Sequence, residues 1–329
     1  MADVVLEKII FDFLSYNQNG KAIFIWHGGE PTLAGIDFYR NVISIQTDIC
    51  NKLNVPFPVN RIQTNGVLID EDWAIFLKEN KFGVGISIDG PKEVHDAHRM
   101  YLSGKGSFDD VFKSVEILNK FKVPTAAGAV ITKISLENPI RLFTFFSSNF
   151  SCFDFSPLFS PSISNQCDGT FITPEEFTSF TIQLFDYWWE TDNPRIRIEM
   201  FKNYIEASLG YTPRRCSMSN GCHKFLSVDG DGSVFPCGRF AGLPEFLLGN
   251  ITNNNFYEIQ DSHFYKSYLD QAEFAPSECK ECKWYFACHN GCTASRYIGN
   301  LKFVEKTPYC NSNRIILNHV KNRILESKK

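Results

Sequence analysis

Eight of the eleven cysteines lie between Cys216 and Cys310, at spacings suited to metal ligation. Cys216 is followed after five residues by Cys222, then after nine by Gly232 and after four more by Cys237. A second group runs Cys279, two residues, Cys282, five, Cys288, three, Cys292, with Cys310 last. Thiolates bind soft metals, and tetrahedral sulfur sites mean zinc or iron-sulfur clusters. Eight thiolates supply two four-ligand sites. A disulfide framework is the poorer reading, because no signal-peptide pattern opens the chain and it is far larger than the small secreted domains that need staples. The pairs of short Cys-x2-Cys knuckles usual for zinc are also not what is seen. Cys50, Cys152 and Cys167 stand alone and read as ordinary buried or loop cysteines.

Three further stretches combine glycine with polar residues at the ends of apolar runs: His27-Gly28-Gly29-Glu30-Pro31, Gln63-Thr64-Asn65-Gly66 and Ser87-Ile88-Asp89-Gly90-Pro91. Adjacent glycines let backbone approach a ligand closely, and a carboxylate beside them accepts hydrogen bonds from an ammonium group. Each stretch also reads as a plain turn, since Gly-Gly, Asn-Gly and Asp-Gly are common turn dipeptides. Arg99, in the polar connection that also holds His95 and His98, offers planar bidentate donors to a carboxylate; the alternative is a solvated loop charge.

Taken together, these residues resemble the radical SAM enzymes that carry a SPASM domain. Cys-x9-Gly-x4-Cys, Cys-x2-Cys-x5-Cys-x3-Cys and a final Cys match the seven-cysteine SPASM signature, with Cys216 as an eighth ligand. The resemblance implies two auxiliary 4Fe-4S clusters with interleaved ligands, the first on Cys216, Cys222, Cys237 and Cys292 and the second on Cys279, Cys282, Cys288 and Cys310. It also implies that His27, Gly28, Gly29, Glu30, Asn65, Ser87 and Arg99 line an S-adenosylmethionine (SAM) site. The stretches GGEPTLAG, QTNGVLID, DGPKEVHD and DGSVFPC are similar to those of anaerobic sulfatase-maturating enzymes and related peptide-modifying maturases. The implied reaction is hydrogen abstraction from a peptide or protein side chain by a 5'-deoxyadenosyl radical, with ferredoxin or flavodoxin as electron donor.

Two departures qualify the resemblance. The family's Cys-x3-Cys-x2-Cys, which holds the 4Fe-4S cluster that reduces SAM, occurs nowhere in the chain. The expectation is therefore a chain inactive as written, whose full-length parent carries that motif and the first barrel strand; the rival is a degenerate paralogue that keeps the scaffold to bind a peptide or partner, with iron-sulfur or zinc sites. Sulfatase maturases also carry an Asp after the cysteine corresponding to Cys237, proposed as a base, where this chain has Gly238 and then Arg239. Glycine cannot accept a proton, which favours another peptide modification over formylglycine formation. Arg239 is a candidate for a peptide carboxylate or simply a surface charge.

The positioning elements follow from hydrophobic periodicity. Helices are expected at 2–17, 36–53, 70–80, 108–121, 138–148, 174–190 and 197–209, and strands at 22–26, 61–66, 83–90, 125–132 and 153–159. Alternating strands and helices predict parallel βαβ units with ligand sites at the carboxyl ends of the strands. With the resemblance, the expected fold is α/β, a partial (β/α)6 radical SAM barrel missing its first strand, followed by a small cysteine-rich SPASM domain. The expected division is barrel 1–160, helical linker 161–215 and SPASM domain 216–329. The 31 Phe, 12 Tyr and 5 Trp predict an aromatic-rich core. Net charge of −4 gives no basic footprint for nucleic acid or anionic membrane. No apolar run reaches the roughly 18 residues of a membrane span, and a cytoplasmic protein is expected.

Overall fold

The computed structural model describes residues 1–18, 20–158, 170–300, 303 and 305–327. Strands and helices alternate as predicted: α1 (Asp3–Tyr16), β1 (Ile23–Trp26), α2 (Gly35–Leu53), β2 (Val59–Thr64), α3 (Glu71–Glu79), β3 (Gly83–Ser87), α4 (Lys92–Asp96), α5 (Phe108–Lys120), β4 (Thr125–Ile131), α6 (Pro139–Asn149), β5 (Cys152–Pro157), α7 (Pro174–Thr191), β6 (Arg197–Ile198) and α8 (Glu199–Ser208). The six strands form one sheet in the order β1-β2-β3-β4-β5-β6, and the described pairings are parallel. β1 is the outermost strand on its side, and its Ile23 and Ile25 remain 37% and 50% exposed.

One expectation needs correcting. Arg197 and Ile198 do not begin a helix; they pair with Cys152 and Phe153 as a sixth strand, and the helix starts at Glu199. Two residues are too few to show a period-2 pattern, so they were absorbed into the helical periodicity that follows. Phe159, Cys167 and most of the loop 160–173 lie outside the described residues.

The chain forms two compact units. The first comprises Met1–Ser87, Ser107–Ala126 and Phe225–Tyr268; the second comprises Ile88–Gly106, Ala127–Lys224 and Leu269–Lys329. Helix ends follow the sequence in both. Asp70 caps α3 by accepting from Trp73 N at 2.9 Å, and Asn54 ends α2 in the left-handed conformation. Thr173 and Glu176 form a reciprocal capping box on α7, with Pro174 in the first turn.

In the first unit, Leu6, Ile10 and Leu14 of α1 pack on Val42 and Ile45 of α2. The Tyr39 ring takes Trp26, Trp73 and Phe82 edge-on. This unit also holds a small antiparallel sheet of β7 (Ser227–Val228), β8 (Ser233–Phe235) and β9 (Gly249–Asn250), followed by α9 (Phe256–Asp261). Phe13 of α1 meets Phe256 of α9 edge-on, and Tyr16 donates to Gln260 at 2.5 Å.

In the second unit Phe146, Phe153, Phe155 and Phe180 share one aromatic core, as the Phe content predicts. The cysteine-bearing segment contributes α11 (Ser277–Lys280), α12 (Tyr285–Cys288), α13 (Thr293–Asn300) and α14 (Cys310–Glu326), following α10 (His263–Glu273). Helix α14 packs on α7, where His319 bonds Asp186 at 2.8 Å and Arg323 reaches Glu190 at 3.0 Å. Among the described residues no helix is long and apolar enough to cross a membrane.

Candidate SAM and iron-sulfur sites

At the carboxyl end of β1 the chain turns through Gly28 and Gly29, both at positive φ (91° and 53°). A β-carbon added at either would meet nothing within 4 Å, so this backbone faces open space where a ligand can approach. The Gly28 N–H is held by His27 Nδ1 at 2.6 Å. Glu30 then ties two strand ends together. Its Oε1 accepts from Thr32 N (3.0 Å), Thr32 Oγ1 (2.5 Å) and Thr64 Oγ1 (2.5 Å), and its Oε2 from Asn65 N (2.7 Å). With a single described donor, Oε2 retains acceptor capacity for an ammonium. Asn65 closes its own turn by accepting from Val67 N at 3.0 Å, and Ser87 at the end of β3 receives a bond from Gln63 Nε2 at 3.0 Å. Thus His27, Gly28, Gly29, Glu30, Asn65 and Ser87 all stand at strand ends of the first unit. Thr32, Thr64 and Gln63, which hold them, belong to the same stretches, but no local spacing rule assigns them that work.

Arg99 lies in the second unit, and it is not a solvated loop charge. Asp89, only 5% exposed, takes Arg99 Nε at 2.6 Å and Nη2 at 3.0 Å while Oδ1 also accepts from Val130 N at 2.9 Å. The Asp89 N–H points to Nδ1 of fully buried His95 at 3.3 Å. Burial drives the His95 pKa down to about 4, helped by Arg99 and opposed by Asp89 and Asp96. His95 is therefore neutral at physiological pH, as an acceptor at Nδ1 requires.

The cysteines gather as two sets. In the second unit Cys279, Cys282, Cys288 and Cys310 lie within one another's fields. Burial first, and then Cys310, raise the Cys279 thiol; burial pushes Cys288 up to about 11, with Cys310 and Cys279 adding and a bond from Asn313 opposing. Asn313 Nδ2 stands 3.6 Å from Cys288 Sγ. Cys216, Cys222 and Cys292 form the other set. Although Cys216 is exposed as a residue, desolvation of its sulfur and then Cys292 and Cys222 raise its thiol. Cys237, the remaining expected ligand, follows β8 in the first unit.

Local backbone separates the two sets. Within a helix Cys288 and Cys292 would share a face. Instead His289, Asn290 and Gly291 all take positive φ (46°, 63° and 72°), which breaks the turn and sends the two sulfurs to different sets. At Gly291 a β-carbon would also meet Thr307 Oγ1 at 2.9 Å, so glycine is required there.

The donor sets fit iron-sulfur clusters. Converging thiols that raise one another's pKa disfavour thiolates until a positive centre arrives. Among the described residues no three His, Cys, Asp or Glu side chains approach closely enough to hold one metal ion. A four-iron cluster spreads its thiolates over four metals, more widely than a single ion does. Cys50 is buried, with its thiol directed to Pro56 O at 3.7 Å, and Cys152 is half-buried on β5; burial raises both thiols, as suits structural cysteines.

A polar node that sequence reading missed supports the first set. Asp154 of β5 accepts from Met200 N at 2.9 Å near the start of α8 and from Arg215 Nη1 at 3.1 Å. Asn203 Oδ1 accepts from the backbone N–H groups of both Arg214 and Arg215, at 3.1 and 3.0 Å. The residue next to Cys216 is thereby fixed to strand and helix.

Residues 3–145 match the radical SAM superfamily, and residues 216–283 match an iron-sulfur cluster-binding domain, SPASM. The cysteine-type anaerobic sulfatase-maturating enzyme of Clostridium novyi (strain NT) is 35% identical over 278 residues, covering 83% of this chain and 73% of that protein. A solved structure of native anSMEcpe with bound AdoMet superposes with a TM-score of 0.90 at 32% identity, covering 99% of this chain and 89% of that one. The same protein with AdoMet and a Cp18Cys peptide gives 0.89 at 31% identity, with 99% and 91% covered. The strand-end motifs, the two cysteine sets and these likenesses agree: the chain belongs to the radical SAM/SPASM enzymes, the family of the anaerobic sulfatase-maturating enzymes.

Proposed function

We propose that this chain is the scaffold of a peptide or protein maturase that binds SAM at the ends of β1–β3 and two auxiliary 4Fe-4S clusters in its cysteine-rich part, with barrel, linker and SPASM parts divided near residues 160 and 215. The observation that carries the reading is the gathering of Cys279, Cys282, Cys288 and Cys310 as one set and of Cys216, Cys222 and Cys292 as another. SAM, when reduced by an iron-sulfur cluster, supplies a 5'-deoxyadenosyl radical that abstracts hydrogen from a side chain.

The chain's own residues bind and orient. The Gly28-Gly29 backbone and Glu30 Oε2 would receive the methionyl amine, and Arg99, held by Asp89, carries a guanidinium suited to a carboxylate. No Cys-x3-Cys-x2-Cys occurs in the 329 residues, so by themselves they are expected to bind SAM without cleaving it. A peptide substrate is supported by the bound Cp18Cys peptide in the similar anSMEcpe structure. The second reading, formylglycine formation, is favoured by 35% identity to a cysteine-type sulfatase maturase; it requires a base other than Gly238.

The test is anaerobic reconstitution of the 329-residue protein, with iron, sulfide and SAM affinity measured together. About eight irons with equal sulfide, SAM binding and no deoxyadenosine under strong reductant are expected. Two zincs and no SAM binding would replace this reading with a structural zinc module.

A further inference from the structure

Two glycines lie inside strands of the parallel sheet, Gly85 in β3 and Gly128 in β4. Glycine weakens a strand interior, so each calls for a reason. Gly85 has one within the chain, because a β-carbon there would collide with Gln63 Oε1. Gly128 has none. Its φ lies outside the left-handed region, and a β-carbon would meet nothing within 4 Å. Ala127, Ala129 and Ile131 are buried, so Gly128 and Val130 belong to the opposite face of β4, which is half-exposed. A strand glycine that neither conformation nor packing requires marks a place where a ligand or another backbone comes close.

The neighbouring strand sets polar groups on the same face. In the parallel register Gly128 pairs with Asp154 and Val130 with Ser156, while Phe153 and Phe155 turn into the aromatic core. Arg215 lies across them, donating from Nη1 to Asp154 Oδ2 at 3.1 Å and from Nη2 to Ser156 Oγ at 3.4 Å. The Arg215 and Asp154 side chains are 30% and 31% exposed, sheltered yet open to a ligand. Bonding capacity is left over on all three. The guanidinium has N–H groups beyond the two used here, and the carboxylate has lone pairs beyond those taken by Arg215 and the Met200 N–H. Among the described residues none takes the Ser156 hydroxyl proton.

An amide group brings one donor and one acceptor, the complement of a carboxylate beside a guanidinium and a hydroxyl. The missing side chain at Gly128 gives a main chain room to lie against the sheet. We infer that the face formed by Gly128, Asp154 and Ser156, with Arg215 across it, receives the main chain of the substrate peptide. This deepens the proposed function and rests on its reading of the substrate as a peptide. The contacts go to main-chain groups, so the face accepts peptides of differing sequence. Because Arg215 directly precedes Cys216, the residue that binds the peptide belongs to the segment that carries the first cysteine set.

The test is anisotropy of a labelled Cp18Cys peptide, the ligand of the similar anSMEcpe structure, added to the reconstituted 329-residue protein as wild type, Gly128→Ala, Gly128→Val and Ser156→Ala. SAM affinity, iron content and thermal midpoint are measured on the same samples. Valine is the better strand former and its β-carbon meets no neighbour, so Gly128→Val should melt no lower than wild type. Its peptide affinity should nevertheless fall at least about tenfold, with Gly128→Ala between the two and Ser156→Ala also weakened. SAM affinity and iron content should not move. A folded Gly128→Val that binds the peptide as wild type does overturns the inference and leaves the peptide reading standing. Loss of SAM affinity with peptide affinity unmoved gives the face to the cofactor and overturns it too. Should valine disrupt the strand, unmoved peptide affinity in both Gly128→Ala and Ser156→Ala overturns it. A wild type that binds no peptide overturns the inference and the peptide reading together.

Discussion

Asp89 grips Arg99 through both carboxylate oxygens, at 2.6 and 3.0 Å, and the carboxylate is itself anchored by the Val130 N–H. The pair is partly sheltered, with side-chain exposures of 27% for Arg99 and 7% for Asp89. Removing one partner of such a pair strands the other charge. Asp89→Asn is therefore expected to cost about 3 kcal/mol of unfolding free energy and to weaken SAM binding, because the guanidinium is no longer held. Arg99→Lys keeps the charge but loses the fork, and should retain more stability than affinity. Urea unfolding and calorimetric SAM titration on the same samples test both; unchanged SAM affinity in Asp89→Asn would separate Arg99 from the cofactor.

The same loop carries a pH dependence. His95 titrates at about 4 in the folded chain, against about 6.5 unfolded. The folded state thus disfavours the imidazolium. Stability from the neutral ring is fully present above pH 6.5 and is lost as pH falls from there through 4, by about 3 kcal/mol in all. Burial is the leading cause, and Asp89, Arg99 and Asp96 are the charged neighbours. In His95→Gln this contribution should vanish. Unfolding free energies of wild type and variant at several pH values between 7 and 4 should diverge in slope; parallel curves would mean that His95 is not held neutral.

Much of this architecture is legible in the sequence because its signals are local. Long amphipathic helices such as α2 and α5 show their period, while Gly-Pro and Asn-Gly punctuation marks the strand ends, and cysteine spacing is itself a geometric statement. What escaped are pairings between distant residues and elements too short to have a period. Thr64 bonds Glu30 across 34 positions, and Arg215 reaches Asp154 across 61. Arg99 was legible as a carboxylate partner, yet the carboxylate that the structure gives it is Asp89, ten residues away in a stretch that reads as a turn. β6 is two residues long and borders a helix. The separation of Cys288 from Cys292 depends on three consecutive left-handed residues, of which only Asn290-Gly291 carries a turn signal.

Asn203 supplies one such long-range support. Its Oδ1 serves two backbone donors, Arg214 N and Arg215 N, and its Nδ2 bonds Glu199 O at 2.6 Å. The side chain is only 5% exposed, so truncation leaves donors without an acceptor or ready access to water. Asn203→Ala is expected to cost about 2 kcal/mol and to loosen the segment that presents Cys216. Asn203→Asp keeps the acceptor and should retain more stability. Iron retained after gel filtration is the second readout: alanine should lose iron faster than aspartate, and equal retention would show that Cys216 is held by other contacts.

Glu30 gives the sharpest test of the strand-end site because a one-atom change suffices. Oε1 receives one backbone N–H and two hydroxyls, while Oε2 receives the Asn65 N–H. In Glu30→Gln the amide nitrogen must replace one of these oxygens. At the Oε1 position the threonine hydroxyls can rotate to accept, but Thr32 N cannot; at the Oε2 position Asn65 N loses its acceptor. Either orientation strands one backbone donor, so a loss of about 2 kcal/mol is expected. Thr64→Val removes one bond to the same carboxylate and also the acceptor of Gly66 N at 3.0 Å, so it should cost a similar amount, about 2 kcal/mol. Both changes slacken the tie between the ends of β1 and β2 from which Gly28 and Gly29 project. SAM affinity should therefore fall in both, about tenfold for Glu30→Gln, which corresponds to about 1.4 kcal/mol. If Glu30→Gln destabilises the fold while SAM affinity holds, the carboxylate is a structural clamp alone and the methionyl amine is received by backbone.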